Sequence, residues 1–259
     1  MSLWTVQWRD FINQSSYKHL LKDKDISNDK FWRDYRIYDE VLKHSGYPGE
    51  ILQRVSSLIS PGSVILDIGA GTGAFALPLA EKAGKVIALD PSTYQLGILN
   101  EKAHEKGLGN IKTITKEWAS VDLQELGEVD YSLAAYSLFD EDIEGFLRRI
   151  MECSKKGAFI IFRAGEIDPL NDFAYGKRPS ADYLCLQKIL EEMGYHFRAE
   201  VFSREYRLPL KCVFHQFRFS EKSREEITNF LQDAGRLTSE ENGLMASFSN
   251  KDALLYYLS

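Results

Sequence analysis

The segment 64–73, Val64-Ile-Leu-Asp67-Ile-Gly69-Ala-Gly71-Thr-Gly73, constrains what this chain can fold into more than any other. A short apolar run of the kind found in strands buried on both faces leads into glycines on alternate positions, and a helix-compatible stretch follows. Lacking a Cβ, those glycines let the chain turn tightly and let a ligand approach the backbone. Seventeen residues beyond Gly73, a second apolar run over 85–89 ends in another carboxylate, Asp90. A strand, a glycine loop and a helix, followed by an acidic strand tip about 20 residues on, form half of a nucleotide site in an open α/β sheet; the carboxylate holds ribose hydroxyls.

The first carboxylate separates two cofactor classes. Gly69, Gly71 and Ala74 satisfy the G-x-G-x-x-G/A spacing of dinucleotide sites. A pyrophosphate, however, favours backbone N–H groups and a helix N-terminus with no anion beside them, and Asp67 places one there. A cationic ligand makes better use of that charge. None of the 13 tyrosines has a lysine four residues later, so the Tyr-x-x-x-Lys pair of short-chain dehydrogenases is missing. The pattern D-x-G-x-G-x-G followed by Asp90 resembles the S-adenosylmethionine site of class I methyltransferases. The resemblance implies that Asp67 lies near the amino-acid end of the cofactor and that Asp90, followed by Pro91, binds the ribose. It also implies that Gly69, Ala70, Gly71 and Gly73 pack beneath the methionine and ribose. It covers about residues 60–165 well and the rest of the sheet loosely.

Strand-like and helix-like stretches alternate regularly downstream of residue 60. Strands are predicted near 63–68, 85–90, 110–115, 129–135 and 157–163, and helices near 73–83, 92–107, 140–153 and 180–193. Such alternation implies a parallel sheet with crossovers on both faces. The aromatic and β-branched runs 196–207 and 211–219, split by Leu208-Pro209, suit an antiparallel edge like the reversed seventh strand of class I methyltransferases. The stretches 221–234 and 238–257 read as helices, the second capped by Thr238 or Ser239. Residues 1–60 read as helices too, with 31–42 as one amphipathic segment capped by Ser27 or Asn28. The expected fold is therefore α/β: a Rossmann-like, doubly wound, mostly parallel seven-stranded sheet with N-terminal and C-terminal helical additions. The corresponding units are an N-terminal helical cap (1–60), an S-adenosylmethionine-binding core (61–220) and C-terminal helices (221–259).

In such sheets ligands bind beyond the carboxyl ends of the strands. The loop after the third strand carries Glu117 and Trp118; the resemblance implies that an acid here accepts from the adenine amino group, and the indole offers a face for the purine. After the fourth strand, Tyr136 is placed to overlook the methyl group, and Tyr38 on an N-terminal helix is a further candidate for cofactor contact. Phe31, Tyr35 and Tyr38 share a helical face, with Trp32 beginning a neighbouring one. The long non-periodic stretch 164–180 suits a flap over an acceptor pocket.

Methyl transfer asks mainly for positioning, with a base only where the acceptor must lose a proton. The five histidines are scattered, so no catalytic residue is assigned, and no carboxylate cluster suggests a metal. Small-molecule methylation is the leading reading; a protein acceptor, or a non-catalytic S-adenosylmethionine-binding accessory protein, is the alternative. The fourth strand ends in Ala134-Ala135-Tyr136-Ser137 where amino-methylating enzymes of DNA carry Asn/Asp-Pro-Pro-aromatic. With a net charge of −6, nucleic-acid acceptors are disfavoured. Three widely spaced cysteines and the lack of a signal-like or membrane-spanning stretch point to a cytoplasmic protein without a membrane association.

Overall fold

The computed structural model describes residues 2–241 and 243–259. Five short helices open the chain: α1 (Leu3–Gln14), α2 (Tyr17–Asp23), α3 (Asn28–Asp34), α4 (Tyr38–Ser45) and α5 (Gly49–Leu58). Strand and helix then alternate through β1 (Val64–Ile68), α6 (Ala76–Ala80), β2 (Lys85–Leu89), α7 (Thr93–Glu105), β3 (Ile111–Ile114), α8 (Leu123–Leu126), β4 (Val129–Ala135), α9 (Ile143–Cys153) and β5 (Ser154–Ala164). The remainder comprises α10 (Pro169–Tyr175), α11 (Tyr183–Glu192), β6 (Arg198–Pro209), α12 (Leu210–Gln216), α13 (Arg224–Asp233), β7 (Leu237–Glu240) and β8 (Gly243–Leu258).

The strands lie in the order β3-β2-β1-β4-β5-β8-β6, and β7 pairs with the first residues of β8 outside that path. The first five are parallel, while β8 runs antiparallel to both β5 and β6. Side chains alternate between two cores, as a strand requires. Leu66, Ile68, Ile87 and Leu89 join α1, α9 and α11 on one face, whereas Ile65, Val86 and Ala88 join α5, α6 and α7 on the other. The helices follow from local chemistry. In α9, for instance, Asp142 caps the first turn by accepting from Gly145 N–H at 3.0 Å. Ile143, Phe146, Leu147 and Ile150 then form a buried stripe at helical spacing. Each such side chain contributes roughly 1.5–3 kcal/mol on burial.

Three sequence expectations give way to tertiary context. The segment 238–257 forms β7 and most of β8 instead of a helix, so of the expected C-terminal helices only α13 is present. Inserted between β5 and β6, β8 is paired along both edges, and Ala253, Leu254 and Leu255 are fully buried. The segment 211–219, read as a strand, begins with α12, whose Cys212 and Val213, with Phe217 just past its end, are buried with Leu231 and Ala246 in a third core. The reversed strand beside β5 is therefore the C-terminal one. The segment 31–42 breaks into α3 and α4 at Tyr35, whose ψ of 52° leaves the helical region.

One polar group interrupts the apolar centre of β8. Asp252 is fully buried, and Arg204 from β6 donates to it through Nε at 2.6 Å. Removing one partner of a buried pair leaves an uncompensated charge. Arg204→Met is expected to lower the unfolding free energy by roughly 3–5 kcal/mol in urea titrations, and the double change Arg204→Met/Asp252→Leu to recover most of that loss.

Candidate active site

Beyond the carboxyl ends of β1, β2 and β4, where strand order reverses, the sheet opens into a cleft. Its floor is the glycine loop. Gly69 and Gly71 have φ of 76° and 54°, a region that disfavours side chains. A Cβ on Gly69 would overlap Ser137 Cβ, and one on Gly71 would come within 2.6 Å of Gln95 Oε1 and force that side chain to move. The Gly71 N–H donates to Asp90 Oδ2 at 3.0 Å, and the Ser92 N–H to Asp90 Oδ1 at 2.8 Å. Burial raises the Asp90 carboxyl above its usual range, with these two bonds opposing the rise.

Asp67 is 2% exposed, and its Oδ2 is buried without any partner. Burial, followed by the charge of Asp90, pushes its carboxyl up to about 7. No lysine or arginine relieves it. The two acids near the tips of neighbouring strands thus give a buried, acidic floor suited to a cation.

The N-terminal helices supply the roof. Tyr17, Asn28, Trp32, Tyr38 and Tyr47 all line the cleft. The break at Tyr35 parts the expected aromatic face: Trp32 and Tyr38 face the cleft, while Phe31 and Tyr35 lie under the Arg218 guanidinium at 4.5 and 4.7 Å. Two acids fasten this roof. Asp29 accepts from Ser92 Oγ at 2.7 Å and from the Thr93 hydroxyl. Asp39 accepts from Thr72 Oγ1 at 2.7 Å and pairs with Lys102 Nζ at 2.8 Å.

At one end, Trp118 is buried, donates through its indole N–H to Phe146 O at 3.2 Å and lies under the Arg149 guanidinium. Its neighbour Glu117 is exposed, with Lys18 Nζ 4.0 Å away. Tyr136 closes the cleft beyond β4 with φ of 53°, unusual for an aromatic residue and of a kind that clusters at functional sites. Its hydroxyl donates to Asp252, and burial together with that negative charge raises its phenol well above the ordinary value. Tyr47 packs edge-on against it at 6.1 Å, with its own hydroxyl buried and unpartnered.

Asp67, Gly69, Ala70, Gly71, Asp90, Pro91, Glu117, Trp118, Tyr136 and Tyr38 therefore all line one cleft. Gly73 does not; it sits below the loop, where a Cβ would meet Leu77 and Leu99. The stretch 164–180 is no flap over this cleft. It folds into α10, buries Leu170 and Ala174, and is tied down by the fork from Arg236 to Asp168 at 2.9 and 2.7 Å. Asn28, Asp29, Asp39 and Tyr47 escape sequence reasoning because no local pattern marks which side chains of a helical segment will meet a distant loop. Among the described residues, no group of three or more His, Cys, Asp or Glu is placed to hold a metal, and no helix is long and apolar enough to cross a membrane.

Residues 65–157 match the family model of a methyltransferase domain. An uncharacterized protein of Haemophilus influenzae is 32% identical over 120 residues, or 46% of this chain and 44% of that protein, so the chain spans less than half of that relative. An uncharacterized methyltransferase of Geobacillus sp. is 24% identical over 237 residues, 89% of this chain and 92% of its own. The crystal structure of YcgJ from Bacillus subtilis shares the fold, with a TM-score of 0.58 at 18% identity over 81% of this chain and 98% of that one.

The raised Asp67 carboxyl has a thermodynamic consequence. Because its folded value lies above the unfolded one, the folded chain holds an extra proton between about pH 4 and 7. The contribution of this group to stability is complete at acid pH, is lost as pH rises to about 7, and stays lost above it. Asp67→Asn is expected to raise the unfolding free energy of the ligand-free protein at pH 8 by roughly 2–4 kcal/mol, and far less near pH 4, as read by chemical denaturation at both pH values.

Proposed function

We propose that the chain, whose residues 65–157 match a methyltransferase-domain model, is a class I S-adenosylmethionine-dependent enzyme that methylates a small-molecule acceptor by in-line displacement. The observation that carries this reading is the buried, unpartnered Asp67 oxygen beside the glycine loop. A ligand that brings positive charge or hydrogen-bond donors relieves such a group, and a cation does so most strongly. S-adenosylmethionine supplies a methyl group on a sulfonium sulfur, together with an ammonium group.

The residues of the chain divide the work of binding and orientation. Asp67 balances charge at the amino-acid end, and Asp90, already aimed by the Gly71 and Ser92 N–H groups, accepts the ribose hydroxyls. Gly69 and Gly71 let the ligand reach the backbone. Trp118 offers a wall to the purine, and Glu117 accepts from its amino group. Tyr136 and Tyr38 flank the reacting end and, with the other rings of the roof, exclude water from it. Holding acceptor and methyl group in line supplies most of the acceleration, and an acceptor that arrives deprotonated needs no base.

A roofed cleft walled by tyrosine and tryptophan rings suits a small acceptor better than a polymer. The net charge of −6 also weakens any general attraction to nucleic acid. Three free cysteines fit residence in a reducing cytoplasm.

Isothermal titration tests the cofactor. Wild-type protein is expected to bind S-adenosylhomocysteine, and Asp90→Ala to bind it at least about tenfold more weakly, the equivalent of one charged hydrogen bond. Folded wild-type protein that fails to bind overturns the cofactor reading; unimpaired binding by Asp90→Ala overturns the role of that residue. For the acceptor, labelled methyl groups from S-adenosylmethionine should accumulate in the small-molecule fraction of a cell extract. Label confined to protein or RNA would refute the acceptor class.

A further inference from the structure

Resting on that reading of the cleft, we infer that Asn28 and Asp29, adjacent on the first turn of α3, complete the ribose site from the roof. Asn28 binds a ribose hydroxyl directly, and Asp29 positions Asp90. Asn28 lines the cleft, and its Oδ1 accepts from the Tyr17 hydroxyl, which leaves Nδ2 as a buried donor with no partner. Asn28 and Asp90 line the same cleft, and the neighbouring Asp29 accepts from Ser92, whose N–H donates to Asp90.

The chemistry of a vicinal diol explains why a donor belongs there. Each ribose hydroxyl offers one hydrogen and two lone pairs, whereas an ionised carboxylate only accepts. With Asp90 taking the hydrogens, the hydroxyl oxygens still need a donor. Asn28 Nδ2 is an unsatisfied donor on the opposite wall of the same cleft.

Asp29 acts one step further back. Ser92 Oγ donates to Asp29 Oδ1 at 2.7 Å, while the N–H of the same Ser92 donates to Asp90 Oδ1 at 2.8 Å. The Ser92 hydroxyl also accepts from Gln95 N–H at 3.2 Å, and the residue is fully buried. The Thr93 hydroxyl and the Tyr94 N–H complete the grip of Asp29 on this turn. Burial opposes ionisation of Asp29, yet the Thr93 and Ser92 hydroxyls outweigh it and hold the carboxyl below its usual range. The turn bearing Ser92 is thus fixed from the roof, and with it one of the two donors that aim Asp90.

The probes are S-adenosylhomocysteine and its 2′-deoxy and 3′-deoxy counterparts, titrated calorimetrically into folded protein. Asn28→Ala is expected to lose about tenfold in affinity for S-adenosylhomocysteine, yet to match wild type for the deoxy probe that lacks the hydroxyl Asn28 meets. Asn28→Asp, which keeps the acceptor for Tyr17 and removes the donor, should lose at least as much and decides the matter if the alanine variant does not fold. Asp29→Asn is expected to lose several-fold, and little further when combined with Asp90→Ala, because it acts through that residue. Equal losses for all three probes, no loss, or multiplying losses in the double variant overturn the inference. Wild-type protein that does not bind S-adenosylhomocysteine instead retires the underlying reading of the cleft.

Discussion

Two largely buried carboxylates, one near the end of β1 and one just past β2, facing the same cleft, are the constraint around which this molecule is arranged. The parallel register sets Asp67 opposite Ala88 and Ile68 opposite Leu89, so Asp67 lies within the last residues of β1 while Asp90, just past β2, accepts from Gly71 in the glycine loop. Taking an ionised carboxylate out of water is costly unless it is paired or hydrogen-bonded. Asp90 is accommodated by two backbone N–H donors; Asp67 keeps one oxygen unsatisfied and holds its proton close to neutrality. A site that is unfavourable when empty gains the most from a ligand of opposite charge. Local strain and unmet polar groups of this kind concentrate where proteins bind and react.

The N-terminal helices belong to that site as much as the sheet does. They meet the ligand-binding loops through particular polar contacts, since Asp29 holds the turn after β2 and Asp39 bridges Thr72 in the glycine loop to Lys102 on α7. These contacts are partly exposed, so each contributes on the order of 1 kcal/mol; together they fix the position of a roof whose helices are only seven or eight residues long. The aromatic side chains between these fastenings, Tyr17, Trp32, Tyr38 and Tyr47, then become walls of the cleft instead of a separate core.

The end of the chain backs the Tyr136 side of the cleft. β8 passes between β5 and β6 and carries Asp252 into the sheet, where Arg204 and the Tyr136 hydroxyl meet it. The Arg204 guanidinium also lies 5.0 Å from the Tyr47 ring and donates to Ser45 O at 3.0 Å. One buried charge therefore connects the last strand, the tip of β4 and the roof. It also keeps Tyr136 in a backbone conformation that an aromatic residue seldom adopts.

Periodicity and glycine chemistry already specify the parallel half of the sheet. The runs over 64–68, 85–89 and 129–135 are apolar enough to be buried on both faces, and the helices between them return each strand in the same direction. The floor of the cleft was equally legible, because glycine is the residue that most readily takes the positive φ found at positions 69 and 71, and a Cβ at 69 would overlap Ser137. What the sequence could not announce depends on contacts between residues far apart in the chain. The stretch 238–257 has a plausible helix cap and first turn, but two unfilled strand edges, on β5 and β6, outweigh its local preference. The stretch 211–219 has the composition of a strand, yet begins with a helix because Val213 and Phe217 then share a face with a third core. Asn28, Asp29, Asp39 and Tyr47 look like ordinary surface or core residues until the roof is docked. Backbone geometry is encoded locally and can be read from the chain, whereas the roof of the cleft and the order of its last strands follow from which distant surfaces bury one another.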